Sequence, residues 1–409
     1  MKLADLDVIV TAPPAPGWGG RYWILVKLTT ACGITGWGEV YAAAIGPAAM
    51  TAVITDVFAR HMAGENPENI ERMFRRVYSS GFTQRPDPTV MGAFSGLEIA
   101  CWDILGKARD RPVWALLGGR INDRVRAYSY LYPGPDDDMA SFWTDPEANA
   151  RAAARLAAQG YTAVKTDPAG PYTIRPGHQP ALSDISRSVA FAAAIREAVG
   201  DRADILIGTH GQFTPAGAIR LGQALEPFRP LWFEEPVPPD NPAAMAEVAR
   251  AVRIPVAAGE RLTTAAEFAA LLRAGGAAIL QPALGRAGGL WEARKIAMIA
   301  EACGAQLAPH LYAGPIEWAA NIQIAATLPN LLMAETIETP FHAALIRGAI
   351  TVEDGHIRPP DTPGLGIDPD EALARAHPWT GTALHLQMQE APCDYQGENR
   401  FAGGAPPES

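Results

Sequence analysis

Short apolar runs with β-type composition alternate with alanine-rich stretches of helical periodicity from about residue 125 onward. Several of the helical stretches, such as PEANARAAARLAAQG and TAAEFAALLRAGG, end in glycine, which commonly terminates helices. The eight apolar runs start at Val125, Thr162, Asp204, Leu231, Pro255, Ala277, Ala305 and Leu331. Strict alternation predicts parallel strands with right-handed crossovers, and eight units over about 215 residues have the size of a closed (β/α)8 barrel. A doubly wound open sheet is the alternative, but no Gly-rich dinucleotide turn supports it.

The first 120 or so residues follow a different pattern. RYWILVKLTT and GITGWGEV predict an antiparallel strand pair, and three helical segments follow, including MGAFSGLEIACWDILGKARD. After about Val352 the chain becomes rich in Pro and Gly. We therefore predict an α+β capping domain over residues 1–122, a catalytic barrel over 123–352, a C-terminal segment over 353–390 that returns to the capping domain, and a mobile tail over 391–409.

Composition narrows the kind of partner. The chain of 409 residues is 48% apolar and 19% charged, as in an ordinary globular protein, and its net charge of -10 opposes nucleic-acid binding. No apolar run is long enough to cross a bilayer, and the N-terminus lacks the features of a signal peptide. The four cysteines are scattered and predict reduced thiols. These features predict a cytoplasmic protein with no nucleic-acid partner and no membrane partner.

Polar side chains follow the predicted barrel strands at the point where each strand ends, which is where barrel enzymes carry their active sites. They are Lys165 and Asp167, His210, Glu234 and Glu235, Glu260, Gln281, His310 and Glu335. Taken singly, each has an ordinary alternative: a salt bridge or helix cap for a glutamate, and a structural role for a histidine. Their joint occurrence at equivalent ends of successive strands instead predicts one site, built around Glu234 and Glu260, because burying so many charges is costly unless they are paired.

The motifs resemble those of the enolase superfamily, in its mandelate racemase/muconate lactonizing enzyme-like branch, over nearly the whole chain. In the first domain the resemblance depends on GITGWGEV and SGLEIACWDILGKARDRPVWALLGGR. In the barrel it depends on VKTD, LWFEEP, PVAAGE, GRAGG and APH, and near the C-terminus on PGLGI. THGQFTPAG and the long insertion before it resemble the acid-sugar dehydratases of that branch.

The resemblance implies a divalent metal held by acidic residues at the ends of strands three, four and five. Glu234 and Glu260 match two of these positions, but Gly208 occupies the first, so the third ligand is His210, a water or none. The family's Lys-x-Lys is Lys165-Thr166-Asp167 here, and the aspartate that would orient His310 is replaced by Ala283. Mg²⁺ is the expected ion, with Mn²⁺ as the alternative if a histidine ligates.

The implied reaction is metal-assisted abstraction of a proton next to a carboxylate, and most specifically dehydration of a sugar-derived acid, an aldonate or aldarate. The implied catalytic residues are His310, His210, Lys165 and Glu335. The residues expected to contact substrate are Asp167, Tyr172, Gln281, Trp18 and Tyr22. Racemisation, epimerisation or cycloisomerisation of a hydroxy-carboxylate, and a degenerate member that only binds a carboxylate, are alternatives. The resemblance also implies a homo-oligomer, either a dimer or an octamer.

Overall fold

The computed structural model describes residues 1–41, 45–139, 141–170 and 172–388. The N-terminal part is a three-stranded antiparallel sheet in the order β1-β2-β3, followed by helices. Its elements are β1 (Leu3–Thr11), β2 (Trp23–Thr30), β3 (Thr35–Val40), α1 (Pro47–His61), α2 (Ile70–Ser79), α3 (Pro88–Arg109) and α4 (Val113–Leu116). The predicted pairing of β2 with β3 is correct. The sequence reading missed β1, which adds a third strand to this sheet.

Close contact between α3 and β3 holds the capping domain together. Every residue of α3 from Met91 to Gly106 is buried, so this part of the helix has no face exposed to solvent. A Cβ added to Gly38 in β3 would lie 1.9 Å from the carbonyl oxygen of Gly96 in α3. The helix can pack directly on the strand backbone because both positions lack a side chain.

Eight parallel strands alternate with helices in the second part of the chain, as predicted. The strands are β4 (Val125–Tyr130), β5 (Ala163–Thr166), β6 (Asp204–Ile207), β7 (Trp232–Glu234), β8 (Val256–Ala258), β9 (Ile279–Leu280), β10 (Gln306–Leu307) and β11 (Ala334–Thr336). The helices are α5 (Pro146–Ala158), α6 (Leu182–Val199), α7 (Pro215–Leu225), α8 (Pro242–Ala251), α9 (Thr264–Ala274), α10 (Gly289–Ala302), α11 (Pro315–Ala325) and α12 (Pro340–Leu345). Short 3-10 turns cover Phe142–Thr144, Gly200–Arg202 and Glu226–Phe228.

The strands follow one another around the barrel in chain order from β4 to β10, and β11 pairs with β4 in parallel. Between β10 and β11 the connection is a single bridge, Leu307 to Leu331, with the amide of Leu332 donating to the carbonyl of Leu307 at 2.7 Å. The fold is an α+β capping domain on a (β/α)8 barrel, which confirms the predicted fold class.

One apolar layer fills the interior of the barrel. Its members come from successive strands or the residues next to them: Tyr128, Ala163, Leu206, Trp232, Ala257, Ile279, Ala308 and Met333. The rings of Tyr128 and Trp232 meet edge to face, with centroids 5.2 Å apart. Because side chains alternate along a strand, the next inward-facing layer lies two residues further along each strand.

The C-terminal part contacts both the barrel and the capping domain. The hairpin of β12 (Val352–Glu353) and β13 (His356–Ile357) extends the barrel sheet, with β13 antiparallel to β4. Further on, α13 (Glu371–Ala376) follows, and the amide of Trp379 donates to the carbonyl of Val10 in β1 at 3.2 Å. The domain limits given above stay a prediction, and the tail over 391–409 lies outside the described residues. No helix in the described ranges is both long and apolar enough to span a membrane.

Candidate active site

The predicted site forms the layer directly above the apolar floor of the barrel. Two residues beyond each floor position, the chain carries Tyr130, Lys165, Gly208, Glu234, Gly259, Gln281, His310 and Glu335. Lys165, Glu234, Gln281, His310 and Glu335 are all buried. The pleat of the strands therefore brings together, in one ring, most of the residues that the strand-end rule selected.

Lys165 lies between two carboxylates at the centre of this ring. Its Nζ donates to Glu234 Oε1 at 2.7 Å and lies 3.7 Å from Glu335 Oε1. Burial alone would lower the pKa of Lys165, but Glu234, Glu335 and Glu260 together outweigh it and raise the pKa above its ordinary value. The ammonium group is therefore fully protonated at neutral pH.

Both oxygens of Glu234 accept hydrogen bonds from side chains. Besides Lys165 on Oε1, the Oε2 atom accepts from Trp232 Nε1 at 3.1 Å and from Gln281 Nε2 at 3.0 Å. Glu335 is fixed differently, because its Oε2 accepts from the backbone amide of Leu311 at 2.8 Å. These bonds fix the positions of both carboxylates.

Glu260 contacts both histidines of the site. Its Oε1 lies 3.5 Å from His310 Nε2, and its Oε2 lies 4.0 Å from His210 Nε2. Burial opposes ionisation of Glu260, but His310, His210 and Arg261 outweigh it and lower the pKa of this carboxyl. Burial also lowers the pKa of His310, although Glu260 opposes the shift, so His310 is neutral near pH 7 and able to accept a proton.

His210 has the orienting carboxylate that His310 lacks. Its Nδ1 lies 2.8 Å from Asp167 Oδ2 and 3.5 Å from the hydroxyl of Tyr172. The loop that carries His210 is held by Arg261, whose Nη1 donates to the carbonyl of His210 at 2.8 Å. Asp167 and Tyr172, both predicted as substrate contacts, therefore lie beside the histidine ring.

Glu235 has a supporting position instead of a place in the ring. It forms an ion pair with Arg261, and its Oε1 accepts from the amide of Gly259 at 3.2 Å. The structure thus shows Glu235 in a salt bridge at a strand end, which is the ordinary interpretation of a single glutamate at this position.

The two aromatic residues predicted from the capping domain lie in its interface with other parts of the chain. Trp18 stacks on Tyr132, just beyond β4, with ring centroids 4.4 Å apart. The hydroxyl of Tyr22 accepts from the amide of His385, and its ring packs against Trp379. The contact of Trp18 and Tyr22 with substrate stays a prediction.

Arg286 and His385 are site neighbours that the sequence reading missed. The guanidinium of Arg286 lies over the ring of Tyr41 at 4.2 Å and donates to the carbonyl of Glu260 at 3.3 Å. Tyr41, which follows β3, donates from its hydroxyl to Glu260 Oε1 at 3.3 Å. His385 packs edge-on against Tyr41. Arg286 lies within the GRAGG motif, but its contacts could not be predicted, because contacts made by the docking of one domain on another leave no sequence pattern.

The residues of this site do not fit the three-carboxylate metal centre that the resemblance implied. The described part of the chain contains no cluster of three or more His, Cys, Asp or Glu side chains placed to hold a metal ion. Gly208 offers no side-chain ligand, and both oxygens of Glu234 are taken by N–H donors. Glu260 Oε2 and both oxygens of Asp167 have no hydrogen-bond partner in the described ranges, but Asp167 Oδ2 lies 2.8 Å from His210 Nδ1, and these atoms do not form such a cluster. Mg²⁺ and Mn²⁺ remain predictions.

Fold and site together define a barrel enzyme of acid–base chemistry with a covering N-terminal domain. Family models agree: the model described as "Enolase C-terminal domain-like" matches residues 147–373, and the model "Mandelate racemase / muconate lactonizing enzyme, N-terminal domain" matches residues 19–118. The chain belongs to the enolase superfamily, in its mandelate racemase/muconate lactonizing enzyme branch, which confirms the resemblance.

Its relatives include named dehydratases. The chain is 36% identical over 363 residues to a D-galactonate dehydratase of Ralstonia nicotianae, covering 86% of this chain and 90% of that protein. It is 34% identical over 373 residues to a D-xylonate dehydratase of Haloferax volcanii, covering 89% and 88%. A solved mandelate racemase/muconate lactonizing enzyme-like protein from Roseovarius sp. TM1035 is 73% identical, with a TM-score of 0.95 over 97% of this chain and 100% of that one. The names of these relatives agree with the predicted enzyme of the lyase class.

Proposed function

We propose that this enzyme removes water from a sugar-derived hydroxy-carboxylate, an aldonate or aldarate, to give a 2-keto acid. The observation that carries the proposal is the pair of histidines on opposite sides of Glu260, with Nε2 atoms 3.5 Å and 4.0 Å from its two oxygens. Two acid–base groups that face one point, beside a cationic group, match the needs of a dehydration. The dehydratase names of relatives at 34–36% identity support the same reaction.

Two proton transfers account for the reaction. A base takes the proton on the carbon next to the carboxylate, and the electron pair of the broken C–H bond moves into the carboxylate to form an enediolate. The enediolate then expels the hydroxyl group of the β-carbon. This hydroxyl group receives a proton from an acid and leaves as water. The resulting enol becomes the 2-keto acid by gaining a proton on carbon and losing one from oxygen.

We assign the base to His310 and the acid to His210. His310 is buried and neutral near pH 7, so its Nε2 can accept the substrate proton. His210 Nδ1 lies 2.8 Å from the Asp167 carboxylate, which orients the imidazole ring, and its Nε2 lies 4.0 Å from Glu260 Oε2.

The enediolate carries negative charge that the site must stabilise. Lys165 at the centre of the ring supplies one positive charge, and Arg286 lies behind Glu260. The resemblance predicts a divalent metal as a further source of positive charge, and this metal remains a prediction. Glu335 holds the lysine on the side opposite Glu234.

A screen of aldonic and aldaric acids with a 2-keto-acid assay tests the proposal. We expect turnover of at least one acid and a loss of about 10²–10⁴-fold in His310→Asn, the range for removal of a general acid–base group. His210→Asn should lose water elimination but keep exchange of the α-proton with deuterium from solvent, because the base is intact. His356→Asn, in β13 outside the barrel, is the matched control and should keep full activity.

Two results would contradict the proposal. The first is that no acid in the panel loses water or exchanges its α-proton. The second is full activity in His310→Asn, which would remove the assigned base. Exchange or inversion at the α-carbon without loss of water would instead favour a racemase or epimerase that uses the same enediolate.

A further inference from the structure

We infer that the ammonium group of Lys165 replaces the divalent cation in this protein, so that the enediolate is stabilised by a fixed lysine instead of a metal ion. This inference rests on the proposed function and specifies how the same site stabilises charge. It starts from the misfit between the site residues and a three-carboxylate metal centre.

The first support is the space beside Gly208. A Cβ added at this position would lie 3.2 Å from Cε of Lys165, tighter than an ordinary contact, and 3.4 Å from the carbonyl oxygen of Thr166. Gly208 is not among the residues with positive φ, so its backbone conformation is open to other residues. The missing side chain instead leaves room for the lysine stem, whose Cε lies 3.2 Å from the point where the side chain of a first metal ligand would begin.

The second support is the way Glu234 is used. Its Oε1 accepts from the lysine at 2.7 Å, and its Oε2 accepts from Trp232 and Gln281 at 3.1 and 3.0 Å. A metal ion bound to this carboxylate would have to share an oxygen atom with one of these donors. It would also bring a second positive centre next to the buried ammonium, and like charges repel strongly where water is excluded.

The third support is the position of the ammonium group itself. It lies in the ring, between Glu234 at 2.7 Å and Glu335 at 3.7 Å, and its side chain is only 3% exposed. An ammonium has three N–H donors, so these two carboxylates leave one for an oxygen of the substrate. No bond to the lysine forms or breaks in the reaction: the α-proton goes to the base, and the lysine keeps its charge throughout.

Direct measurement of Mn²⁺ binding tests the inference without any substrate. The purified, EDTA-treated wild-type protein is titrated with Mn²⁺ by isothermal calorimetry and by electron paramagnetic resonance. The same titrations are made on Lys165→Met, Gly208→Asp and the double variant, and circular dichroism shows which of them fold. We expect no stoichiometric binding by the wild type at millimolar Mn²⁺, and one bound ion in the double variant, which has three carboxylates and no ammonium.

Two results would overturn the inference. One equivalent of Mn²⁺ bound by the wild type, and lost in Glu260→Gln, would show that a metal occupies the site despite the lysine. A folded double variant that binds no Mn²⁺ would show that Lys165 and Gly208 are not what excludes the ion.

Failure of this inference can be told apart from failure of the proposed function. If an acid turns over and EDTA abolishes the activity until Mg²⁺ is added, the dehydration stands and the lysine assignment falls. If no acid turns over while the wild type still binds no Mn²⁺ and the double variant does, the lysine assignment stands and the dehydration falls.

Discussion

Removal of Lys165 is the most informative single perturbation of this site, because it leaves Glu234 buried without its cation. The side chains of this pair are 3% and 0% exposed, and the two charged atoms are 2.7 Å apart. Deleting one partner of a buried ion pair typically costs about 3–5 kcal/mol, since an uncompensated charge remains. We expect Lys165→Met to lie near the lower limit, at about 3 kcal/mol at pH 7, because Glu234 keeps its bonds from Trp232 and Gln281.

The cost should also depend on pH in a defined direction. Burial already raises the pKa of Glu234, with Glu335 and Glu260 adding to the shift and Lys165 opposing it. Without the lysine, the folded-state pKa of Glu234 lies still further above the unfolded value. A raised folded-state pKa favours folding at low pH, and that stability is lost as pH rises through it. The penalty of Lys165→Met should therefore be smaller at pH 5 than at pH 8.

A double-mutant cycle measures the pair itself. Thermal unfolding of wild type, Lys165→Met, Glu234→Gln and the double variant is followed by circular dichroism. With about 2 °C per kcal/mol for a domain of this size, the single lysine variant should melt about 6 °C lower. The coupling between the two positions should exceed about 2 kcal/mol, because the double variant removes both charges of the 2.7 Å pair.

The exposed pair of Lys27 and Glu371 is the matched control. Its atoms are 2.6 Å apart, but its side chains are 25% and 33% exposed. The same Lys→Met and Glu→Gln changes there should show a coupling of at most about 1 kcal/mol. Effects at Lys165 and Glu234 that add within about 0.5 kcal/mol, or a penalty that does not change between pH 5 and pH 8, would refute the reasoning.

Three further predictions concern other parts of the molecule. Tyr41→Phe removes the hydroxyl that donates to Glu260 at 3.3 Å, so kcat should fall about tenfold, as for loss of one hydrogen bond to a charged group, while the melting temperature stays nearly constant. Burial lowers the pKa of His342 to about 4, so folding stability worth about 3 kcal/mol is present above pH 6.5 and is lost as pH falls toward 4; His342→Gln should flatten that part of the acid-unfolding curve. Gly38→Ala should destabilise the capping domain by about 1–3 kcal/mol in thermal unfolding, because its Cβ meets the carbonyl of Gly96. Gly46→Ala is the control and should change little, because a Cβ at Gly46 has no atom within 4 Å. Equal melting temperatures for the two variants would contradict this packing.

The pleat of the strands explains why so much of the ring could be predicted. Lys165, Glu234, His310 and Glu335 each lie two residues beyond a floor residue, and a period of two is fixed by strand geometry. The eightfold alternation that identified the strands therefore also placed these side chains in one layer.

Other contacts depend on how separate segments dock, which no local pattern encodes. Arg286 reaches Tyr41 only because the capping domain lies over the barrel loop, where the amide of Tyr41 donates to the carbonyl of Gly285 at 3.0 Å. Tyr22 packs on the returning C-terminal segment, where its hydroxyl accepts from the amide of His385. The strand β1 was missed because only three of its nine residues are buried, so its buried and exposed positions alternate only weakly.

The three departures from the family pattern are better explained as one coordinated change than as loss of function. Gly208 removes a carboxylate from the third strand end, and the stem of Lys165 lies against the position that it leaves. Asp167 adds a carboxylate on the neighbouring strand end, 2.8 Å from His210. Compared with the family pattern, a carboxylate is therefore absent from one strand end and present at the next, beside a histidine.

Ala283 completes the same change. It leaves His310 without an orienting aspartate, and His310 Nδ1 has no hydrogen-bond partner in the part of the chain that the structure describes. The histidine is held instead by Asn321, which donates to its carbonyl at 3.0 Å, and by the ring of Tyr41 at 5.5 Å. The orienting carboxylate therefore lies behind His210 and not behind His310, so the two histidines of the site are held in different ways. Random decay would leave buried charges unpaired at a cost of several kcal/mol. Lys165 and Asp167 instead each have a partner of opposite charge or a histidine. Changing Gly208 or Asp167 alone to the residue of the family pattern should therefore reduce the activity of this site more than changing both.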